Sequence, residues 1–169
     1  MQHQSKKGSG KARIHKTNPW LFALKIGFFA GLIWGVIRWL SYGMKFTTVV
    51  PGFLLDSFLR HSFLKTSWGI VAGIGAFIVF SIAAAFIYIA VLRKCKGPWP
   101  GILYGLAWWI ILFIGVGPFV GMMEWITKLG WNTIYTEICL FLLWGVFIGY
   151  SIAFEFTDEA SREPIAAKS

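Results

Sequence analysis

Long stretches without ionisable side chains alternate along the chain with short charged segments. Residues 66–92 and 97–123 each run for 27 positions without Asp, Glu, Lys or Arg, and residues 138–154 do so for 17. A helix of about 20 residues crosses a hydrocarbon core of about 30 Å. Each of these three stretches therefore predicts one membrane-spanning helix.

A fourth span is predicted nearest the N-terminus. Residues 20–42 are apolar apart from Lys25 and Arg38, which both lie near an end, where long basic side chains can extend to water. The stretch is longer than the apolar core of a signal peptide, so we expect an anchor that is not cleaved. The four predicted spans are residues 20–42, 67–92, 101–120 and 132–154.

The surrounding lipid determines which secondary structure these spans can form. Backbone groups in hydrocarbon must find their hydrogen-bond partners within the protein, which favours helices over an open sheet. The predicted fold class is all-α, a polytopic four-transmembrane-helix bundle. Its domains are a basic tail (1–18), a membrane domain (19–156) and a C-terminal tail (157–169).

Composition excludes other classes. Of the 169 residues, 57% are hydrophobic and 14% are charged, whereas soluble domains carry about 25% charged residues. A water-soluble globule is therefore excluded, and the length leaves no room for a separate soluble catalytic domain.

Basic residues are distributed unequally between the two sides of the predicted bundle. The two tails and the connection between the second and third spans hold ten Lys and Arg residues, whereas the other two connections hold four. The positive-inside rule then predicts that both termini are cytoplasmic. Topology and attraction to anionic lipid account for the net charge of +9, so we expect no nucleic-acid partner.

The two outer connections share a charge pattern. Asp56 precedes Arg60 by four residues in the first, and Glu124 precedes Lys128 by four residues in the second. On a helix this spacing places acid and base on one face in the favourable order. We therefore predict two short interfacial helices that lie on the outer leaflet or dip into it, each with an ion pair.

Glycines recur at four-residue intervals in the first and fourth spans. Small residues at this spacing let helix backbones approach closely in lipid. One interpretation is packing within the bundle, and the other is contact of the first-span face with a second copy or another membrane protein. The glycines concerned are Gly27, Gly31, Gly35, Gly145 and Gly149.

Two ionisable residues lie within predicted spans at similar depth. Glu137 is about one turn into the fourth span, and Arg38 is near the outer end of the first. Such groups are candidates for function, since a charge in lipid is costly. We hypothesise an Arg38–Glu137 pair; the alternative is that both side chains face the lipid headgroups.

Catalytic constellations are missing from the sequence. It contains no HExxH, GxSxG or glycine-rich phosphate loop. Cys95 and Cys139 are predicted at different depths, which makes a disulfide implausible. We therefore predict no catalytic residue, no metal ligand set and no cofactor, and we expect the protein not to be an enzyme.

Two segments carry a family resemblance. KGPWPGILYGLAWW, at 96–109, and WNTIYTEICLFLLWGVFIGYSIAFEF, at 131–156, resemble the YqhR family of small four-span membrane proteins of Gram-positive, endospore-forming bacteria. The resemblance covers about residues 20–156. It implies a bacterial source and a location in the cytoplasmic membrane, and it assigns no catalytic residue.

Two functional hypotheses follow. The first is a non-enzymatic packing, scaffold or accessory subunit of the cytoplasmic membrane, whose partners are the lipid bilayer and either further copies or other membrane proteins. The alternative is a small transporter or channel subunit that acts through Glu137.

Overall fold

A computed structural model describes residues 18–59, 61–92 and 98–161. Within these ranges the chain forms helices and no strands, which confirms the all-α prediction. The following predictions concern segments outside the described residues: the basic tail up to residue 17, Arg60, the basic connection 93–97 with Cys95, and residues 162–169.

Four helices are long and apolar enough to cross a membrane, as predicted. We call them the first to the fourth span, and they comprise Pro19–Gly43, Ser67–Leu92, Trp99–Val120 and Trp131–Phe156. The last helix continues beyond its apolar part to Ser161.

Local signals explain where these helices begin and end. The Asn18 side chain accepts a hydrogen bond from the Trp20 amide at 3.2 Å and caps the first span. The third span begins at Trp99, two residues before the predicted start, because Pro100 suits a first helical turn. The fourth helix reaches Ser161 because residues 155–161 contain neither Gly nor Pro. The segment predicted as a tail from residue 157 is therefore helical over its first turn.

The first span packs along the second through its glycine face. An ideal Cβ atom at Gly27 would lie 2.6 Å from Ile82 Cα, and one at Gly35 would lie 3.1 Å from Ile74 Cγ2. Gly31, between them, meets the Ile78 backbone. This face is therefore filled within the chain and is not open to a second copy.

The third and fourth spans form an equally close pair. An ideal Cβ atom at Gly145 would lie 2.5 Å from Gly105 Cα, and one at Gly149 would lie 2.6 Å from Gly101 Cα. Glycine faces glycine here, so the two backbones are in direct contact.

The fourth span lies at the centre of the bundle. Half of its most apolar stretch is buried, against 28–33% in the other spans, and it contacts all three of them. Glu137, near the beginning of this span, is therefore surrounded by protein.

The third span changes its winding before its end. Residues Ile111–Val116 form a π-helical turn, followed by a last α-helical turn over Gly117–Val120. Pro118 has no N–H to donate to the preceding turn, which explains a local widening. Gly121, with φ of 77°, then ends the helix in the left-handed conformation.

The connections 44–66 and 121–130 lie together at one end of the bundle, which we call the two-loop end. The short helices predicted there are present as brief helical turns. Among the described residues, the first connection contains a 3₁₀ turn, Phe53–Leu55, and a four-residue helix, His61–Leu64, and the second contains a 3₁₀ turn, Ile126–Lys128. Neither Asp56 nor Glu124 lies within one of these turns, so the predicted i, i+4 spacing on a helix does not occur.

Packing explains why the first connection is not an amphipathic surface helix. Its segment 49–53 is buried in the bundle. Gly52 lies against Gly73 of the second span, where an ideal Cβ atom on Gly73 would be 2.6 Å from Gly52 Cα. The backbone thus follows the small residues of the second span, and Phe53 is fully buried.

Candidate functional site

A buried ion pair joins the first and fourth spans near the two-loop end. An Arg38 guanidinium N–H (Nη2) donates to Glu137 Oε2. Arg38 is 2% exposed and Glu137 is fully buried. The structure therefore brings together the two residues of the hypothesised pair and directs neither towards the headgroups.

The second carboxylate oxygen of Glu137 is bound as well. Thr47, in the first connection, donates its hydroxyl to Glu137 Oε1 at 2.8 Å. The Thr47 hydroxyl oxygen in turn accepts the Val49 amide at 3.2 Å. Three separate parts of the chain, two spans and one connection, thus meet at a single carboxylate.

Aromatic rings enclose the cation. The Arg38 guanidinium carbon lies 4.6 Å from the ring centre of Phe53, 5.1 Å from that of Phe141 and 5.2 Å from that of Phe77. Arg38 Nη1 has no hydrogen-bond partner in the described part of the chain. Ring faces attract cations and partly replace that missing hydrogen bond.

Threonines form a second layer around the pair. The Thr48 amide donates to Thr133 Oγ1 at 3.2 Å, and the hydroxyls of the same two residues lie 3.3 Å apart. Thr136 donates its hydroxyl to the Phe46 carbonyl at 3.2 Å. These bonds fix the residues on either side of Thr47 to the turn of the fourth span that precedes Glu137.

The energetics of this arrangement are those of a charge pair removed from water. Desolvating two ions costs several kcal/mol each, and good geometry with further hydrogen bonds is needed to offset that cost. The space beside Arg38, bounded by Trp34, Phe77, Leu140 and Phe141, is too small for a water molecule. The site can hold the first and fourth spans in register.

A larger cavity of about 430 Å³ opens between the two connections at the two-loop end. We call it the loop cleft. Its lining residues are Thr48, Val49, Val50, Asp56, Gly121, Met122, Met123, Glu124 and Leu129.

The acidic residues of the two predicted outer ion pairs do not lie within helices. Asp56 follows the 3₁₀ turn of the first connection, and Glu124 precedes that of the second. No ion pair joins Glu124 to Lys128, because the intervening residues do not form the helix that the spacing requires. Both acids line the loop cleft instead.

Several residues of the site were not predicted from the sequence. Thr47 and Thr133 are 2% exposed, although each lies outside or at the edge of a predicted span. The sequence did offer one signal for these two threonines, namely their position near the intramembrane charges. A buried carboxylate needs more than one hydrogen-bond donor, and nearby hydroxyl groups can supply it. For Phe53, Phe77 and Phe141 the sequence offers no signal among its 16 phenylalanines.

Similarity to known proteins extends over most of the chain. The family described as conserved membrane protein YqhR matches residues 4–166. The chain belongs to the YqhR family. A relative in Bacillus subtilis (strain 168), which bears the name uncharacterized protein YqhR, is 38% identical over 140 residues, covering 83% of this chain and 78% of that protein. No solved structure matches the chain.

Membership confirms the family resemblance and the membrane character of the chain. The match to the YqhR family begins at residue 4 and thus includes most of the basic tail. The family description gives a membrane protein and no activity, so functional statements depend on the residues themselves.

Proposed function

We propose that this YqhR-family protein is a non-enzymatic scaffold or accessory subunit of the bacterial cytoplasmic membrane, with both termini in the cytoplasm. The observation that carries the proposal is the closed polar centre. Both Glu137 oxygens have donors, and aromatic rings cover the Arg38 cation. A carrier of the alternating-access kind needs a midplane site that opens to each side in turn, whereas this charge pair holds helices together.

The perimeter of the bundle supports the same proposal. Each span presents large apolar side chains outwards, such as Phe28, Val79, Leu103 and Leu143, which are 43%, 68%, 63% and 58% exposed. Lipid or the spans of a partner can contact such a perimeter through packing alone. The glycine faces, which would otherwise serve that purpose, are used inside the bundle.

Site-specific crosslinking in native membranes tests the scaffold role. A photo-crosslinking residue is introduced at each of the same four positions, Phe28, Val79, Leu103 and Leu143, and the adducts are identified. We expect a protein adduct from one side of the bundle and lipid adducts from the opposite side. A bulky substitution one turn away on the reactive face should abolish the protein adduct. Lipid adducts alone at all four positions would contradict a scaffold.

Reporter fusions test the orientation. A tag at Ser57 is expected outside the cell and a tag at Gly97 in the cytoplasm, because ten of the fourteen basic residues outside the spans are on the side of Gly97. The reverse result at either position would refute the proposed topology.

A transporter or channel subunit is the second candidate, and one observation favours it. Thr47 links Glu137 to the amide of Val49, which lines the loop cleft, so a short chain of hydrogen bonds runs from the cleft to the carboxylate. Flux in proteoliposomes tests it. Substrate-selective flux that is lost in Glu137→Gln, in protein that still elutes as a folded species, would favour this candidate over the scaffold.

A further inference from the structure

We propose that the second connection, residues 121–130, is a lid that swings away from the loop cleft and opens a path for water from the two-loop end towards Glu137. The cleft lies between this connection and residues 48–50 of the first. Thr47, the preceding residue, donates its hydroxyl to Glu137. The proposal concerns a movement of the fold and does not depend on the scaffold role.

The two connections differ in how firmly they are packed. None of residues 121–130 is buried, whereas Thr47, Val49 and Phe53 of the first connection are 5% exposed or less. A segment opens at low free-energy cost where few of its apolar side chains are buried. The second connection is therefore the wall of the cleft that can move.

Hydrogen bonds do not join the second connection to the first in the part of the chain that the structure describes. There, the backbone hydrogen bonds of residues 121–130 run only to residues 117–134. The nearest bond to the first connection lies one residue earlier, where Ser57 donates its hydroxyl to the Val120 carbonyl. That bond fixes the end of the third span, so that movement can begin directly after it.

Two glycines provide the hinge points of the lid. Gly121 has φ of 77°, and Gly130 directly precedes the fourth span. Among the described residues, an ideal Cβ atom at either position would meet no atom within 4 Å beyond its immediate chain neighbours. Hinges are a few residues at the ends of elements that absorb changes in φ and ψ, and glycine does so without steric hindrance.

Three half-buried apolar side chains hold the lid closed. Met123, Ile126 and Leu129 follow at three-residue intervals and pack against the buried core. Met123 and Leu129 also line the cleft together with Val49. Because these contacts are apolar and only partial, opening the lid costs much less than unfolding the bundle.

The opposite wall of the cleft leads to the buried ion pair. The Val49 amide donates to the Thr47 hydroxyl oxygen at 3.2 Å, and this hydroxyl donates to Glu137 at 2.8 Å. An open lid therefore exposes Val49 and leaves one hydroxyl group between water and the carboxylate.

The reactivity of a cysteine in the cleft wall measures the opening of the lid. Val49→Cys is introduced after both native cysteines, Cys95 and Cys139, have been replaced by serine. The full chain in lipid nanodiscs is treated with a membrane-impermeant methanethiosulfonate, and mass spectrometry follows the modification. We expect Val49→Cys to react about tenfold more slowly than Thr127→Cys, which is exposed on the lid, because only the open state reacts.

Variants of the lid identify what keeps it closed. Leu129→Ala should raise the rate at Val49→Cys about tenfold, since three carbon atoms of a half-buried apolar contact are lost. Thr127→Ala, exposed in the same segment, is the matched control and should leave the rate unchanged. Ser81→Cys, fully buried in the second span, reports global unfolding and should react about a hundredfold more slowly than Val49→Cys. Thermal unfolding checks that each variant is folded.

Three results would overturn the proposal. An unchanged rate at Val49→Cys in folded Leu129→Ala would mean that the second connection does not cover this wall. Equal rates at Val49→Cys and Thr127→Cys would mean that the lid has no closed state. Equal rates at Val49→Cys and Ser81→Cys would assign the exposure to unfolding of the whole bundle.

Discussion

Neutralising one member of the buried ion pair should destabilise the bundle strongly. In Glu137→Gln the amide oxygen can still accept the Thr47 hydroxyl, but Arg38 keeps its charge and retains only ring contacts and weaker hydrogen bonding. In Arg38→Met the carboxylate keeps its charge and retains only the threonine donor. Removing one partner of a buried pair costs about 3–5 kcal/mol, because the remaining charge stays in a poor solvent.

The double variant separates pairing from other effects. Arg38→Met/Glu137→Gln contains neither charge, so it should lie within about 1–2 kcal/mol of the unmodified chain and above both single variants. The coupling energy, which is the sum of the two single losses minus the loss in the double variant, should then be at least about 4 kcal/mol, above the range of about 0.5–3 kcal/mol that is usual for neighbouring residues. Thermal unfolding in nanodiscs measures it: since about 1 kcal/mol corresponds to roughly 2–4 °C at this size, each single variant should lose about 6–20 °C.

Two results would contradict an enclosed ion pair between Arg38 and Glu137. If the losses of the two single variants simply add in the double variant, the two side chains do not stabilise each other. If either single variant costs less than about 1 kcal/mol, the remaining charge reaches water, and the site is not enclosed.

Three further predictions use the same unfolding assay. Gly27→Ala should cost about 1–3 kcal/mol, because its Cβ atom would lie 2.6 Å from a backbone atom of the second span. Gly75→Ala is the control: it has open space around it and should stabilise the fold by about 0.5–1 kcal/mol. Equal effects of the two substitutions would contradict the packing of the first span on the second. Thr47→Val should cost about 1.5–3 kcal/mol through loss of its bond to the buried carboxylate, and an unchanged midpoint would mean that the bond is not formed. Tyr104→Phe removes a 2.6 Å bond to the Ala84 carbonyl and should cost about 0.5–1.5 kcal/mol; a loss above about 3 kcal/mol would point to disturbed packing instead.

The spans could be predicted because hydropathy along the chain is a local property. A run of 27 residues without a charged side chain can form few structures other than a membrane-spanning helix. The pairing hypothesis for Arg38 and Glu137 came from the same physics, since two opposite charges at similar depth in lipid lower each other's cost. Both inferences need no knowledge of how the helices are arranged.

The connections could not be predicted in the same way, because distant residues determine their conformation. Asp56 and Arg60 have the spacing of a helical pair, yet the backbone before them turns inwards along Gly69 and Gly73 of the second span. The spacing of Asp56 and Arg60 carries no information about that contact.

The buried ion pair connects residues 99 positions apart, from the first span to the fourth. During biosynthesis three helices therefore enter the bilayer before the carboxylate that compensates Arg38 has left the ribosome. A nascent chain stopped ahead of Trp131 carries an isolated cation among phenylalanine rings, which is a costly state in lipid. The bundle is therefore stable only once the fourth span has been made. Truncated products should be short-lived substrates of membrane proteases.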